Sequence, residues 1–377
     1  SINYIFEHLS SSAEVTSLTP IDIMETSESL TAGKKYLILV TAGVGGNSSG
    51  DVFTFRLQAE GSTLIGSNNI VEPNSASKPQ GYSYANIYTP SSNTTIKMQA
   101  GGSATIQAKL YRCEILALDL SDLTEDDDYF FFENNSLAAH GTSWSQRASY
   151  ALSPNSSNEG TWLVIGGCSI DVNDAEAGSY QMKIQQDIDS GRGGGSSTDS
   201  PIMVKEGEDV SEISVDFISK AYNVNASDGE TEWFLKTKDG PLDTANSFSS
   251  GRIIGLRTSV FLDVTSTWSE DDVTLASTFT TIQSGTHVSA YDTDVVFLGS
   301  AIADLDATGR SINDRFLWDS SEPLAMPDNV ANRSNDALDE IPFHSMGVIT
   351  NTSIGTHSYD WQGKASPPGL VSEDNSL

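Results

Sequence analysis

Short runs in which apolar and polar residues alternate recur along the whole chain, separated by clusters of Gly, Asn, Ser and Pro. In the stretch FTFRLQ, this alternation places Phe53, Phe55 and Leu57 on one face of a strand and Arg56 on the other. Apolar residues at the spacing of an amphipathic helix are rare, and Asp328 to Glu340 is the one modest candidate. The pattern therefore predicts an all-β protein built from short antiparallel strands.

The alternating pattern repeats along the chain. About 127 residues after FTFRLQ, Tyr180 to Gln185 reads YQMKIQ, and INDRFL from Ile312 is a third, weaker copy. The run YLILV from Tyr36 is likewise matched by WLVIGG from Trp162 and by VVFLGS from Val295. Several segments that match at similar offsets favour a tandem repeat, because a single matching hexamer could arise by chance.

These offsets divide the chain into three units, at residues 1–122, 123–266 and 267–377. Towards the end of the first two units, RCEILALDLSDLTEDDD from Arg112 resembles RTSVFLDVTSTWSEDDV from Arg257, and we interpret each as a strand followed by an acidic linker. A sheet with one apolar face must cover that face with a second sheet. Each unit is therefore predicted to be an antiparallel β-sandwich of the jelly-roll type with about eight strands.

Two segments are predicted to form exposed loops. The middle unit carries a Gly/Ser-rich insertion, DIDSGRGGGSSTDSP, from Asp187 to Pro201. Such a composition is typical of a flexible loop between strands. Together with the turn region from Asn68 to Gln80, this loop is expected to offer a variable contact surface.

The third unit is predicted to lack its last strand. Its segment YDWQGK from Tyr359 resembles IKMQAGG from Ile96, but the residues that follow, SPPGLVSEDNSL, contain no apolar run like the final strands of the other units. An incomplete sandwich would expose unpaired backbone groups. Either the natural chain continues beyond Leu377, or another copy supplies the strand by β-augmentation. The segment from Ile2 to Phe6 is a candidate donor, although it more simply opens the first unit.

Charge and cysteine content narrow the classes of partner. The chain has 51 Asp and Glu against 20 Lys and Arg, a formal net charge of −31, so it would repel nucleic acid phosphates. Its apolar runs fall far short of the roughly 20 residues that a membrane-spanning helix needs, so no membrane insertion is expected. Cys113 and Cys168 lie in apolar strand-like runs and are expected to be buried thiols rather than a disulfide.

None of the motifs that commonly mark catalytic or metal sites is present. The chain has no GxSxG, HExxH or CxxC sequence and no phosphate-binding loop, and its five histidines are scattered. Only His344 and His357 share a region, without further metal ligands nearby. The acidic run from Glu125 to Asp128 does not follow the calcium-binding EF-hand pattern. We therefore expect no catalytic residues, no metal and no cofactor, and a polysaccharide-degrading enzyme is the third-ranked alternative.

Tryptophans are the side chains best suited to form a contact surface. Trp233 alternates with Leu235 and is expected to lie in a core. Trp318 and Trp361 lie in more loop-like sequence, so they are the candidates for a surface that contacts a partner or a glycan. Packing in a core or an interface is the competing interpretation for both.

The Ser/Gly/Asn/Thr-rich, acidic texture of the tandem units resembles that of virion structural proteins of marine tailed phages. The single unit, with its apolar final strand ATIQAKLYRCEILALDL, is similar to jelly-roll modules of the TNF/C1q type. These resemblances imply a non-catalytic capsid decoration, vertex or tail appendage protein on the surface of the virion. Its partners would be other virion proteins, copies of itself in a trimer or in head-to-tail strand complementation, and a host-surface glycan. The alternative is a secreted or cell-surface bacterial adhesin or carbohydrate-binding protein.

Overall fold

The computed structural model of the chain is all-β, as predicted from the alternating pattern. It describes the chain except for residues 1, 10, 47–51, 64–67, 72–79, 103–106, 137, 140, 173–177, 189–195, 201, 208–211, 240–246, 270–272, 305–310, 323–331, 334–339, 367–374 and 377. One short 3-10 segment, Thr258–Val260, interrupts the succession of strands.

The strands fall into three successive groups, which we call units 1, 2 and 3. Unit 1 contains β1 (Tyr4–His8), β2 (Ala13–Val15), β3 (Ile21–Glu25), β4 (Tyr36–Gly46), β5 (Val52–Ala59), β6 (Ser62–Thr63), β7 (Asn68–Val71), β8 (Gln80–Tyr88), β9 (Lys97–Gly101) and β10 (Ala108–Asp119). Unit 2 contains β11 (Tyr129–Asn134), β12 (Ala138–Ala139), β13 (Ser145–Leu152), β14 (Gly160–Val172), β15 (Gly178–Ile188), β16 (Ser196–Asp199), β17 (Met203–Gly207), β18 (Glu212–Val224), β19 (Thr231–Asp239) and β20 (Ser247–Arg257). Unit 3 contains β21 (Trp268–Ser269), β22 (Thr280–Ser289), β23 (Thr293–Asp304), β24 (Ser311–Trp318), β25 (Asn332–Arg333), β26 (Glu340–Thr352), β27 (Gly355–Ser366) and β28 (Asn375–Ser376).

The same antiparallel topology occurs in all three units. One sheet, which we call the inner sheet, has the order β1-β10-β4-β8 in unit 1, β11-β20-β14-β18 in unit 2 and β21-β28-β23-β26 in unit 3. The outer sheets contain β3-β9-β5, β13-β19-β15 and β22-β27-β24 in the corresponding places, and pairing of β17 with β26 makes the outer sheet of unit 2 continuous with the inner sheet of unit 3. The segments matched by sequence, YLILV with its copies and FTFRLQ with its copies, thus lie on equivalent strands. Between the two sheets of each unit lies a separate apolar core.

Backbone pairing corrects one of the sequence matches. Leu118 on β10 lies opposite Leu37, and Leu256 on β20 lies opposite Leu163, so Leu118 and Leu256 are the equivalent residues. The predicted match of Arg112 to Arg257 is therefore out of register. The sequence similarity was misleading because Arg257 is the last residue of its strand and the 3-10 segment follows it.

The position of the last strand in unit 3 is occupied by β28, which has two residues and pairs with both β23 and β21. The strands β10 and β20 take this position in units 1 and 2. At the other end of the chain, β1 pairs with β10 inside unit 1, as the simpler interpretation of this segment required. The predicted unit boundaries, 122/123 and 266/267, fall between β10 and β11 and between β20 and β21.

Three loop and helix predictions are changed in part. The proposed loop from Asp187 to Pro201 contains the strand β16, which pairs with β15, and its residues 189–195 lie outside the described part of the chain. The turn region from Asn68 to Gln80 begins with β7, and residues 72–79 are likewise not described. The helix candidate from Asp328 to Glu340 instead contributes β25 and the first residue of β26, and its other residues lie outside the description.

Neither Cys113 nor Cys168 forms a disulfide, and both are buried, as predicted. In the described residues, no helix has the length and apolar character needed to cross a membrane.

Candidate functional site

The inner sheets of the three units pack against one another and form a fourth apolar cluster, which we call the junction. On β4, Tyr36 and Ile38 face the core of unit 1, whereas the intervening Leu37 and Leu39 face the junction. Equivalent strands in units 2 and 3 supply Ile165 and Leu298. The sequence signal for this arrangement was the uninterrupted apolar runs YLILV and WLVIGG, since a strand buried on one face only would alternate. The buried members of the junction are Leu37, Leu39, Ala85, Leu116, Leu118, Leu120, Tyr129, Ile165, Phe217, Ile254, Leu256 and Met346.

Equivalent residues of the three units meet at the centre of the junction. Ser83, Phe217 and His344 occupy the same place on β8, β18 and β26, as their strand partners show. The backbone N–H of Phe217 donates to Ser83 Oγ at 3.0 Å, and His344 Nε2 lies 2.9 Å from the Phe217 carbonyl oxygen. The rings of Phe217 and His344 stack with centroids 4.0 Å apart. The three units are therefore arranged about an approximate threefold axis within a single chain.

A buried arginine of unit 1 binds inside unit 3. Arg112 pairs with Glu114 of its own strand, and its guanidinium lies 3.1 Å from Asp314 Oδ1 and 3.0 Å from Ser345 Oγ. Asp314 also accepts a hydrogen bond of 2.9 Å from Trp361 Nε1. All five side chains are buried. This network fixes the orientation of unit 3 on unit 1 by bonds that have definite directions, which apolar packing lacks.

Electrostatics keep the Arg112 guanidinium charged in this setting. Burial by itself lowers the pKa of Arg112, but Glu114 and Asp314 outweigh it and the pKa is raised. Burial raises the pKa of the Glu114 carboxyl, and Arg112 opposes that rise. Because the network is enclosed by two packed units, it has the character of a structural clamp. The sequence around Arg112 gives no local signal for this network, because Asp314 and Ser345 lie 202 and 233 residues away.

Further polar contacts join the units at the edges of the junction. Arg252 of unit 2 lies over the ring of Tyr84 in unit 1, 5.2 Å from its centroid, while its Nε donates to Glu133 at 2.8 Å. The hydroxyl of Tyr4 in unit 1 donates to Asp294 Oδ2 in unit 3 at 2.6 Å. Burial and this hydrogen bond raise the pKa of Tyr4. At least one charged side chain thus links unit 1 to unit 2, and at least one links unit 1 to unit 3.

The acidic run from Glu125 to Asp128 connects units 1 and 2 through ion pairs and hydrogen bonds. Asp128 pairs with Arg257 at 2.9 Å, and Glu125 pairs with Lys35 at 3.3 Å. Asp126 accepts a hydrogen bond from the hydroxyl of Tyr150. These carboxylates are engaged by protein groups, which agrees with the interpretation of the run as a linker.

The two tryptophans predicted to form a contact surface have different surroundings. Trp361 is fully buried in the core of unit 3, so it is not available for contact, and that prediction is wrong for this residue. The loop-like sequence around it was misleading, because Trp361 lies in the middle of β27 with its side chain facing inward. Trp318 is partly buried at one end of the same core, where it stacks on His357 with centroids 5.0 Å apart and lies 6.0 Å from His287.

His357 forms an ion pair beneath Trp318. Its Nδ1 lies 2.7 Å from Asp319 Oδ2, and its Nε2 lies 2.8 Å from the Ser353 carbonyl oxygen. The hydrogen bond to Asp319 raises the pKa of His357, and the same bond lowers the pKa of Asp319. His344 is not part of this group, since it packs on Phe217 at the junction. Nowhere in the described part of the chain do three or more His, Cys, Asp or Glu side chains cluster as metal ligands would.

Exposed apolar side chains concentrate at the same end of unit 3. Val288, Tyr291 and Ile354 are 60%, 49% and 63% exposed, and Leu262 and Val264 are 49% and 44% exposed. Hydrogen bonds hold their backbone segments together: Asp263 accepts from the N–H of residue 290, and Asp292 accepts from that of residue 354. We call these five residues the apolar end of unit 3. Exposed apolar patches of this kind commonly mark interaction sites.

Comparisons with known proteins do not assign a family. No family model matches the chain, and no curated protein matches it. A solved structure of the triple jelly-roll fold and turret assembly in an archaeal virus aligns at 10% identity, covering 98% of this chain and 91% of that chain, with a TM-score of 0.21. The CBM22 tandem domain of Paenibacillus barcinonensis Xyn10C aligns at 10% identity over 67% of this chain and 92% of that chain, with a TM-score of 0.22. Infectious bursal disease virus strain Gt gives 7% identity over 99% and 84%, with a TM-score of 0.24. These neighbours thus include both viral proteins and a carbohydrate-binding module. Their structural similarity to this chain is too low to distinguish a viral structural role from carbohydrate binding.

Proposed function

We propose that the chain is a non-catalytic structural component of a virus particle, a capsid decoration, vertex or tail appendage protein that acts through surface contact. The observation that carries the proposal is the junction, where three β-sandwiches bury their inner sheets in one another. The three sandwiches of one chain thus pack together as the three subunits of a trimer would. Such a body can present loops and outer sheets at fixed positions, as a particle-surface protein requires.

The apolar end of unit 3 is the surface that we assign to contact with another virion protein. Trp318, stacked on His357, lies at the same end of unit 3, so it keeps a role beside this surface. Acidic residues such as Asp263 and Asp292 border the patch. Charge complementarity therefore favours a partner surface that is apolar with a basic rim.

The test is whether the protein is present in purified virions, and at what stoichiometry. Mass spectrometry of density-banded particles should detect the chain in a fixed ratio to the major capsid protein. The double variant Val288→Ser/Ile354→Ser should fold but be depleted from particles, whereas a matched change at an exposed apolar residue of unit 1, Leu18→Ser, should be incorporated normally. Absence of the wild-type chain from the particles would refute the proposal.

A secreted or cell-surface adhesin is the second candidate function. The observation that favours it is a cationic outer sheet in unit 2, which is described below. Secretion of the chain by a bacterial host, without any particle, would support this candidate over the first.

A further inference from the structure

The outer sheets of the three units differ at one equivalent pair of residues. In unit 1, Arg56 lies opposite Gln99 on the neighbouring strand, and the two side chains form a hydrogen bond of 2.6 Å. In unit 3, Arg315 lies opposite Gln362 and donates to it at 2.8 Å. In unit 2, the corresponding residues are Lys183 and Lys236, both basic and directly opposite each other.

A pair of like charges directly opposite each other destabilises a sheet. Unit 2 thus lacks the side-chain hydrogen bond that units 1 and 3 form between these two positions. Its two lysines repel each other instead. Lys238 lies two residues beyond Lys236 and faces the same side of the sheet. Three lysines therefore share one small surface of a protein whose formal net charge is −31. An arrangement that lowers stability is expected at a site selected for function.

Aromatic rings position these lysines. The ammonium groups of Lys183 and Lys238 each lie 4.9 Å from the centroid of Trp144, and that of Lys236 lies 4.9 Å from the ring of Phe234. Cation–π attraction offsets part of the repulsion between the lysines. Trp144 and Phe234 are both partly exposed. The face therefore presents charges and ring surfaces side by side, and we call it the lysine face.

Unit 3 provides an internal comparison. There Phe279 lies 4.1 Å from the Arg315 guanidinium carbon and 4.3 Å from Lys364 Nζ, so a ring between two cations is a feature of the repeat. Unit 3 has Gln362 where unit 2 has Lys236, and Asp360 faces the same side. The excess of positive charge is thus specific to unit 2.

Nearby acids neutralise only part of the lysine face. Asp199 pairs with Lys183 at 2.7 Å, and the Lys183 side chain is only 11% exposed, so Lys236 and Lys238 are the two available cations. Lys236 donates to the neutral Gln185 at 2.6 Å. Asp187 and Glu232 lie opposite each other at the far end of the same strands. Within the described residues, no carboxylate forms an ion pair with Lys236 or Lys238.

We propose that the lysine face of unit 2 binds an acidic polysaccharide. Carboxylate or sulfate groups of the polymer would pair with Lys236 and Lys238, and its sugar rings would lie against Trp144 and Phe234. The acidic surroundings repel any polyanion, so binding is confined to the lysine face, and single-stranded DNA is the competing ligand that the test includes. This inference rests on the proposed function, because it assigns a glycan-binding surface to a protein that acts by contact. It does not require that the chain be part of a virus particle.

The test compares the intact chain with the variant Lys236→Gln, which restores the residue type of units 1 and 3. The probes are polygalacturonate and heparin, with neutral dextran and single-stranded DNA as comparisons, and affinity is measured by isothermal titration calorimetry at low and at physiological salt. The wild type should bind an acidic polysaccharide in preference to dextran and DNA. Lys236→Gln should weaken that binding by about tenfold, since it removes one charged hydrogen-bond donor. The same variant should raise the melting temperature by relieving the repulsion.

The matched control is Lys364→Gln, which changes a ring-bound cation on the outer sheet of unit 3, at the position of Lys238, and should leave the affinity unaltered. The proposal is overturned if neither polysaccharide binds, if DNA binds as tightly, or if Lys236→Gln lowers the melting temperature and leaves binding unchanged. Failure here would leave the virion test unaffected. Conversely, a chain that is absent from particles could still pass this test as an adhesin.

Discussion

Gly255 on β20 lies directly beneath the ring of its cross-strand partner Phe130. A Cβ atom added at Gly255 would lie 2.0 Å from Phe130 Cε1. The ring cannot move aside, because it stacks on Tyr150 at 4.5 Å and on Trp233 at 4.8 Å. A glycine is thus needed here for space, and the absence of a side chain is what lets unit 2 close its aromatic core.

Gly255→Ala should therefore destabilise the protein by about 2 kcal/mol or more, the usual range for overpacking a core. Urea unfolding followed by tryptophan fluorescence measures this change. Gly141→Ala is the control, since a Cβ there meets no atom within 4 Å and stability should stay nearly constant. Equal effects of the two substitutions would show that the packing around Phe130 is looser than described.

The ion pair between His357 and Asp319 predicts a pH dependence. The pKa of His357 is raised above its ordinary 6.5, so its stabilisation is complete below that pH and is lost as the pH rises through the shifted value. The pKa of Asp319 is lowered below its ordinary 3.8, so its stabilisation is present above that pH and is lost as the pH falls through the shifted value. The pair should stabilise unit 3 most between these two ordinary values.

The melting temperature of the wild type should therefore decrease slightly as the pH rises from about 6 to about 8, through the range where histidine titrates. Solvent screening of the half-exposed Asp319 limits the effect to below about 1 kcal/mol. Asp319→Asn should remove this part of the slope in differential scanning fluorimetry. If the variant kept the wild-type slope, another group would be responsible.

At the scale of strands, the sequence predicted the elements better than their surroundings. Alternation in FTFRLQ and its copies identified β5, β15 and β24, because their outer faces meet solvent and stay polar. The runs YLILV and WLVIGG predict strands, but they do not indicate that other units cover the second apolar face of each strand. A strand that is buried on both faces has no alternation of polar and apolar residues. The sequence therefore indicates that something covers the second face, but it does not indicate which segment of the chain does so.

The contact residues were harder to predict than the strands. Trp361 and Trp318 are similar in sequence context, yet one is buried and the other lies at the end of the core. Their difference depends on side-chain direction at particular strand positions. The clamp role of Arg112 cannot be predicted from its own strand, because its acceptor, Asp314, lies 202 residues away in the sequence. Such long-range pairs leave no local signal.

Removal of the Arg112 side chain should weaken the attachment of unit 3 to unit 1. Arg112→Met leaves Glu114 and Asp314 buried without their cation, and breaking a buried ion pair in this way costs about 3–5 kcal/mol. Urea denaturation measures the loss. The triple variant Arg112→Met/Glu114→Gln/Asp314→Asn should recover part of it, because no buried charge remains. A loss below about 1 kcal/mol for the single variant would show that the network carries little of the stability.

At the scale of the molecule, the junction should make the three units unfold together, because each would expose the apolar outer face of its inner sheet if it separated. The wild type is therefore expected to show one calorimetric transition. Ile254→Asp buries a carboxylate in the junction, away from the core of unit 2, and should split the transition and increase binding of an apolar dye. Leu18→Asp, at a side chain that is 77% exposed, should leave a single transition. Separate transitions in the wild type would mean that the units fold independently and that the junction does not couple them.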